Sequence, residues 1–362
     1  MKKYKLVHVT SSLCMGGAEK VLYTLVKALQ QNGYDQVVVY VHDGPYVAKL
    51  QELGITTYQL RGVFWRYDLL FFIRLYRLLK KERPSIVHSL LWAANVASRI
   101  CGWMARIPVV SVYHNNVDQD GYVRSLFDRL TLFLTAHNVA VSEQVAQSIT
   151  ERSWLPAKRI SVITNGIEFA HVTVPYRSKK DLGISDDCFV IGAVGRLVAV
   201  KRFDYLIDTY ATCGIASSSL VIIGSGPLEK ALRNQVERLH LDARVHFLTD
   251  HEALSYYQLF DCFVQTSEKE GVSLALLEAM SFCKAGVVMG NNGYHPIISH
   301  DYDGLIVDPS DQVELIEVFR SLYNNQARRV GLGLRAQDTV QKRFGLPHMV
   351  HEYQKLFDQL SL

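Results

Sequence analysis

Short β-branched runs and stretches of helical spacing take turns along this chain, and that alternation constrains its fold more than any other feature. "KLVHVT" is an apolar strand. Residues 18–31 follow with Val21, Leu22, Leu25, Val26 and Leu29 at helical spacing, and Asn32-Gly33 form a helix stop. "QVVVYV", "SIVHSL" and "VVSVYH" read as further strands, separated by helical segments at 69–81, 93–104 and 125–135. Such a rhythm implies a parallel sheet covered by helices. It pauses after "RISVITNGIEF", where the polar stretch 174–187 reads as a linker, and then restarts. "FVIGAVG", "LVIIG", "VHFL", "CFVQTS" and "GVVMG" are the strands of the second half, with helices expected at 202–210 and 228–240. The expected fold class is α/β, with two facing Rossmann-like domains at 1–170 and 171–343. Ligands of such sheets bind outside the carboxyl ends of the strands, which places the site in the cleft between the domains. Segment 341–362 is amphipathic through Met349, Val350, Tyr353, Leu356, Phe357 and Leu360. By pattern alone it caps either domain, and a helix at 344–362 is expected to complete the first.

Composition narrows the class. A length of 362 residues suits two domains, and 49% hydrophobic with 20% charged residues suits ordinary globular cores. Cys14, Cys101, Cys188, Cys213, Cys262 and Cys283 lie far apart without C-x-x-C spacing, against a disulfide framework or zinc site. The start "MKKYKLVHVTSS" alternates like a strand, and its apolar part is too short for a signal peptide. No apolar run reaches the roughly 18 residues of a membrane span. The expected location is cytoplasmic. Residues 1–170 carry 20 Lys+Arg against 12 Asp+Glu, a charge of +8, and the remainder 19 against 23, or −4. This excess is diffuse and no nucleic-acid module accompanies it, so nucleic acid is not an expected partner.

Several loops after strands carry candidate chemistry. In "SSLCMGGAEK", Gly16 and Gly17 join a strand to a helix start, where a backbone approaches an anion closely or simply turns tightly. Neither this loop nor "GSGP" completes a G-x-G-x-x-G dinucleotide pattern. In "GRLVAVKRF", Gly195 precedes Arg196, and Lys201 stands five residues on. Two cations at a strand's carboxyl end suit a diphosphate; the alternative is a solvated pair of charges at a helix start. "EKEGVSLALLEAM" sets Glu270 and Glu278 eight residues apart, with Ser273 as a helix N-cap. A continuous helix spanning them covers about 12 Å. Glycosidase pairs stand only roughly 5–9.5 Å apart, so the spacing disfavours a hydrolytic pair.

That E-x7-E element resembles the signature of retaining glycosyltransferases of family 4 (GT4), which have the GT-B fold. The likeness extends in order through "GGAEKV", "VHSLLWAANVASRI", "VYHN", "VAVSE", "ITNGIE", "GRLVAVKRFDYLI", "VIIGSGPLEKAL", "DCFVQTSEKEGVSLALLEAM" and "DGLIVDP". What it resembles most is a bacterial cell-envelope polysaccharide transferase. The resemblance implies a nucleotide diphosphate sugar as donor, held mainly by the second domain. Arg196 and Lys201 match the pair that neutralises the diphosphate, Glu278 the glutamate on the ribose, and Glu270 the glutamate beside the transferred sugar. Backbone N–H groups of Val272, Ser273 and Leu274, after Gly271, would face sugar and phosphate, and Gly16 and Gly17 would close over the diphosphate. His114 matches a histidine beside the sugar, with His88 as its rival. No Asp-x-Asp appears, and the family generally requires no metal and no cofactor for transfer. Two departures stand out. Val272-Ser273 replaces the "FG" of many members, and "NNGYHPII" puts Pro296 near a usual acidic position.

The implied acceptor is a glycan or lipid-linked sugar bound to the basic first domain. Residues 64–84, "FWRYDLLFFIRLYRLLKKERP", are either a core-facing helix with a solvated basic face or a stretch lying on an anionic membrane. The second option would make the protein peripheral on the inner face of the cell membrane. Two alternatives stay open: a nucleotide-sugar epimerase or phosphorylase on a similar fold, and a non-catalytic sugar-nucleotide-binding subunit. A phosphorylase would carry a lysine-linked pyridoxal phosphate, and no lysine is singled out for it. The UDP-sugars are the favoured donors, with GDP-mannose behind them.

Overall fold

Parallel strands without hairpins demand a covering helix between each pair, and the chain supplies one almost every time. The computed structural model describes residues 4–61, 69–114, 121–152, 159–169, 176–249, 253–268, 270, 272–290 and 295–361. Gly271, residues 64–68 of the basic aromatic stretch, Val174 of the expected linker, and residues 291–294 therefore lie outside the described residues.

The first sheet holds β1 (Lys5–Ser12), β2 (Asp35–His42), β3 (Thr56–Gln59), β4 (Ile86–Leu90), β5 (Val109–Tyr113), β6 (His137–Ala140) and β7 (Ile160–Val162). Its helices are α1 (Gly17–Gln31), α2 (Pro45–Glu52), α3 (Leu69–Glu82), α4 (Trp92–Ala105), α5 (Gly121–Thr131) and α6 (Glu143–Arg152). The second sheet holds β8 (Phe189–Val194), β9 (Ser218–Ile223), β10 (Val245–Leu248), β11 (Cys262–Gln265), β12 (Ala285–Met289) and β13 (Gly304–Val307). Around it run α7 (Phe203–Thr212), α8 (Glu229–Arg238), α9 (Leu274–Ser281), α10 (Gln312–Asn324) and α11 (Gln326–Arg343), before a final helix α12 (Leu346–Leu360).

Among the described residues the strand orders are β3-β2-β1-β4-β5-β6-β7 and β10-β9-β8-β11-β12-β13. The winding reverses beside the first strand of each. Val7 of β1 pairs with Val37 on one side and Val87 on the other, and Ile191 of β8 lies between Leu220 and Cys262. Each sheet thus has a switch point where loops leave in opposite directions and open a crevice at the carboxyl ends. Both faces of both sheets are covered, since Leu6–Thr10 of β1 and Phe189–Ala193 of β8 are buried in succession; Val7, Val9 and Val87 lie in one apolar core and Ile191, Ile222 and Val264 in another.

The chain divides into two compact units, Met1–Glu168 with Leu346–Leu362, and Phe169–Gly345. In the first unit Leu346 donates its N–H to the Ile167 carbonyl at 3.0 Å, and Tyr353 and Phe357 meet the His88 ring edge-on. Segment 341–362 is not the single amphipathic stretch its pattern suggested. α11 ends at Arg343, and Pro347 falls in the first turn of α12, where its missing N–H breaks no helical bond. Two other expectations shift. Segment 125–135 becomes the end of α5 followed by a 3-10 turn at Leu132–Leu134, and the linker contains a 3-10 turn at Lys179–Leu182. That turn is fixed by Ser178 and Asp181, which cap each other's N–H groups at 3.3 and 2.8 Å. α3 buries Phe71, Leu75, Leu78 and Leu79 and exposes Arg74, Arg77, Lys80 and Lys81, the pattern of a core-facing helix with a solvated basic face.

One buried ion pair organises the first unit. Arg99 of α4 is 0% exposed and meets Asp128 of α5 at 2.6 Å. Its other nitrogens reach the Ser111 hydroxyl at 3.2 Å and the Tyr113 hydroxyl, both on β5. A guanidinium so enclosed depends on its carboxylate, because removing one partner strands a desolvated charge. Asp128→Ala is therefore expected to destabilise the first unit by about 3–5 kcal/mol, read as a lowered urea midpoint.

Candidate active site

Gly195, Arg196, Lys201 and Glu270 sit on the two loops that leave the second unit's switch point, after β8 and β11. Gly195 follows β8 directly, and Lys201 ends a 3-10 turn at Ala199–Lys201. Glu270 lies in the loop after β11, and Lys201 Nζ donates to Glu270 Oε1, with side-chain exposures of 21% and 20%. Behind this pair the loops are stitched together. Thr266 donates its hydroxyl to the Lys201 carbonyl at 2.9 Å and the Arg202 carbonyl at 3.1 Å, and Glu268 donates its N–H to the Val200 carbonyl at 3.0 Å. Arg202 is held in the left-handed region at φ 50°, ψ 44°, which turns the chain from the loop into α7. The methylenes of Lys201 run past Gly195, where an added Cβ would sit 3.4 Å from Cε. Arg196 is exposed, and its guanidinium has no hydrogen-bond or ion-pair partner among the described residues.

α9 begins at Leu274, with Ser273 as N-cap accepting from the Leu276 N–H at 3.4 Å. Glu270 therefore precedes the helix, and the 12 Å spacing of a continuous helix does not apply to the two glutamates. Their partners separate them instead. Glu278, on α9, is 7% exposed and accepts from the Tyr257 hydroxyl at 2.9 Å. Burial, with Glu278 beside it, holds the Tyr257 phenol well above its ordinary pKa, so it stays a donor. Its ring stacks on Phe282 at 5.6 Å. Val272, Ser273 and Leu274 are buried, and among the described residues their N–H groups have no acceptor, as expected at a helix start. Such a start attracts anions.

The glycines of "GSGP" serve packing. Gly224 has φ 150°, and a Cβ there would overlap the Gly195 carbonyl oxygen; one at Gly226 would lie 2.5 Å from the Leu197 carbonyl oxygen. The loop after β9 thus rests directly on the Gly195–Leu197 backbone, and Leu197 donates its N–H to Ser225 at 2.9 Å.

In the first unit Gly16 caps α1 with an extended backbone, φ −167°, and Gly17 is the exposed first residue of the helix. The Glu19 carboxylate folds over Gly16, where a Cβ would press on it. An anion approaching this helix start meets that carboxylate first. His114 is the residue after β5, and its Nε2 is buried without a partner among the described residues. His88 is fully buried behind it. Gln36 donates Nε2–H to the Val26 carbonyl at 3.0 Å, which turns Oε1 toward His8 Nε2 at 3.1 Å. His8 Nε2 then carries the proton and Nδ1 accepts from His88 Nδ1 at 3.0 Å. Both His88 and His8 are neutral and enclosed. Burial holds His8 and His114 down at about 4 and His88 well below its ordinary value, with His8 and His114 adding repulsion to His88.

Thr266, Tyr257, Ser267 and Arg202 are the site's neighbours that sequence reasoning passed over. Ser267, beside Thr266, keeps a buried hydroxyl without a partner among the described residues. Thr266 and Ser267 stand in "QTSEKEG" directly after β11, a position signal available in the sequence. Tyr257 lies in a 3-10 segment, Ala253–Leu259, whose irregular spacing gave none.

The chain is similar to known glycosyltransferases along most of its length. A family profile described as "Glycosyltransferase Family 4" matches residues 15–171, and one described as "Glycosyl transferases group 1" matches 176–339. A lipopolysaccharide core biosynthesis glycosyltransferase, LpsD, of Rhizobium meliloti is 28% identical over 349 residues, 95% of each chain. An Escherichia coli UDP-Gal:alpha-D-GlcNAc-diphosphoundecaprenol alpha-1,3-galactosyltransferase is 25% identical, over 85% of each chain. Among solved structures, Anabaena HepE in complex with UDP and glucose superposes with a TM-score of 0.87 at 20% identity, over 98% of this chain and 100% of that one. The fold is GT-B.

Two consequences are measurable. Gly224→Ala is expected to destabilise the second unit by about 1–3 kcal/mol through overpacking, seen in its denaturant midpoint. In the unfolded chain these histidines bind protons near pH 6.5, and in the folded one His8 and His114 do so only near 4, with His88 also held well below its ordinary value. Stability present above pH 6.5 is therefore lost as pH falls toward 4, by about 3 kcal/mol for each of His8 and His114. Urea unfolding at stepped pH is expected to show proton uptake across that window, to which His295, His137 and His246, also lowered by burial, add. With family 4 matched along its first half and group 1 along nearly all of its second, the chain belongs to the glycosyltransferases.

Proposed function

We propose that the chain is a retaining glycosyltransferase that moves one sugar from a UDP-sugar to a glycan or lipid-linked acceptor in cell-envelope polysaccharide synthesis. The observation that carries this is the Lys201–Glu270 pair, stitched by Thr266 at the second switch point beside the open start of α9. A diphosphate there meets three attractive features: the exposed Arg196, the Lys201 ammonium and the N–H groups of Val272–Leu274. Donor binding draws Lys201 from Glu270 toward phosphate and frees the carboxylate to orient sugar hydroxyls. As the glycosidic bond breaks, negative charge grows on the leaving diphosphate, and the two cations stabilise it without a metal. In this proposal Glu278, oriented by Tyr257, accepts from ribose hydroxyls, and the role of His114, a neutral imidazole, is a sugar contact that the family resemblance implies. Gly195 gives the backbone room beside Lys201. The envelope acceptor is inferred from the relatives' names, LpsD and the diphosphoundecaprenol galactosyltransferase.

A thermal-shift panel of UDP, GDP and ADP with their sugars tests the donor. UDP at about 100 times its Kd is expected to stabilise the protein by about 2.7 kcal/mol, and no shift with any nucleotide would sink the proposal. In a transfer assay, Lys201→Ala and Glu270→Gln are each expected to lower kcat by about 100- to 1000-fold. An α-configured donor should give an α-linked product by NMR, and a β-linked one excludes retention.

A further inference from the structure

Lys201 ends a 3-10 turn, and Arg202 after it stands at φ 50°, ψ 44° as the chain turns into α7. Residues other than glycine, asparagine and aspartate rarely adopt that conformation, because Cβ crowds the following carbonyl. It persists only where the surroundings over-determine the backbone. On one side the Arg202 guanidinium lies over the Tyr205 ring at 4.5 Å, donates to the Pro309 carbonyl at 3.4 Å and stands 3.8 Å from the Glu268 carboxylate. The main chain is held as well. Arg202 donates its N–H to the Ala199 carbonyl at 3.0 Å, and its own carbonyl accepts from the Leu206 N–H at 3.2 Å. The Thr266 hydroxyl then faces the carbonyls of Lys201 and Arg202 at 2.9 and 3.1 Å, so one proton is shared by the two peptides that flank Arg202.

Thr266 is 2% exposed, which leaves it no surface with which to touch a ligand. What it fixes is the direction in which the Lys201 side chain leaves the backbone. That stem runs past Gly195, and its ammonium reaches Glu270, four residues beyond Thr266 on the loop after β11. The Glu268 N–H, bonded to the Val200 carbonyl at 3.0 Å, holds the same turn one residue before Lys201. A cation on the loop after β8 is therefore aimed by main-chain contacts with the loop after β11.

We propose that Thr266 is a positioning residue for Lys201: it pins the turn at Arg202 and so aims the ammonium at the place where a donor diphosphate binds. This deepens the proposed function and rests on it for the diphosphate. Thr266 then acts on the ligand only through Lys201, and its loss has no further effect once the ammonium is gone.

A double-mutant cycle on UDP binding, read by calorimetric titration of the full chain, tests that coupling. Lys201→Ala is expected to weaken UDP binding by about tenfold or more. Thr266→Val keeps the branched shape without the hydroxyl and should weaken it by about three- to tenfold, and Thr266→Ser should restore it. In the Lys201→Ala background, Thr266→Val should change the affinity little. A hydroxyl that only stabilised the unit would lower the melting temperature and leave UDP affinity as it was, the result expected of Asn325→Ala at the N-cap of α11. Melting temperatures are read on the same preparations, and Thr266→Ala runs the cycle again with less bulk beside the turn. Additive losses overturn the inference and leave the donor site standing, as does a valine variant that binds UDP like wild type. Wild-type protein that binds no UDP, or Lys201→Ala that binds it unchanged, sinks the proposed function and this inference with it.

Discussion

Everything chemically active in the second unit hangs on the way a parallel sheet must be wound. Strands that all run one way need crossover helices. Winding outward in both directions from β8 leaves β8 and β11 adjacent, with their loops diverging. A gap of that kind would be loose if nothing bridged it. Thr266 bridges it from within, satisfying two carbonyls of the β8 loop with one hydroxyl, and the Lys201–Glu270 pair bridges it from the ligand side. The first bridge is structural and permanent. The second is made by two partly exposed charged groups, and under the proposed function it is the one that a diphosphate would part.

The packing behind this gap explains residues that a ligand-centred view misassigns. Gly224 and Gly226 are part of a glycine-rich loop, and glycine-rich loops invite a phosphate interpretation. Here their missing Cβ atoms let the β9 loop lie on the Gly195–Leu197 backbone. That contact sets the height of Gly195, against which the Lys201 stem runs. The glycines act on the site through backbone placement.

Much of the fold was legible because its strands are short β-branched runs between well-marked helices. β1, β2, β8 and β9 are mostly apolar and carry five or six buried residues in succession, as strands covered on both faces do, and they read clearly. β3 is "TTYQ", an edge strand half-buried on one side, and α11 has "GLGL" in its middle; neither carries a periodic signal. Of the candidate site, Arg196, Lys201 and Glu270 stood out as charge at a strand's carboxyl end, and Glu278 through its spacing from Glu270. Tyr257 was not, since its contribution is a hydrogen bond made across 21 residues from an irregular segment. The E-x7-E spacing was legible but its geometry was not, because an N-cap at Ser273 cannot be told from a helix already under way at Glu270 by counting alone.

α5 is where periodicity misleads most instructively. Its apolar residues recur at helical spacing, and the ordinary inference turns that face inward. The buried charge reverses it. Arg99 has committed to β5 through Ser111 and Tyr113, and it requires a carboxylate on the facing helix. Asp128 supplies one only if α5 presents its polar side to the sheet, which turns Leu126, Leu130 and Phe133 to the outside. The same guanidinium fixes the end of β5, one residue before His114. One ion pair therefore sets both the direction in which α5 faces and the strand end from which a neutral histidine emerges. A hydrophobic replacement for the pair would free α5 to rotate its apolar stripe into the core. The desolvation of two charges in the first unit is thus balanced by a surface that faces outward and a strand end that does not move.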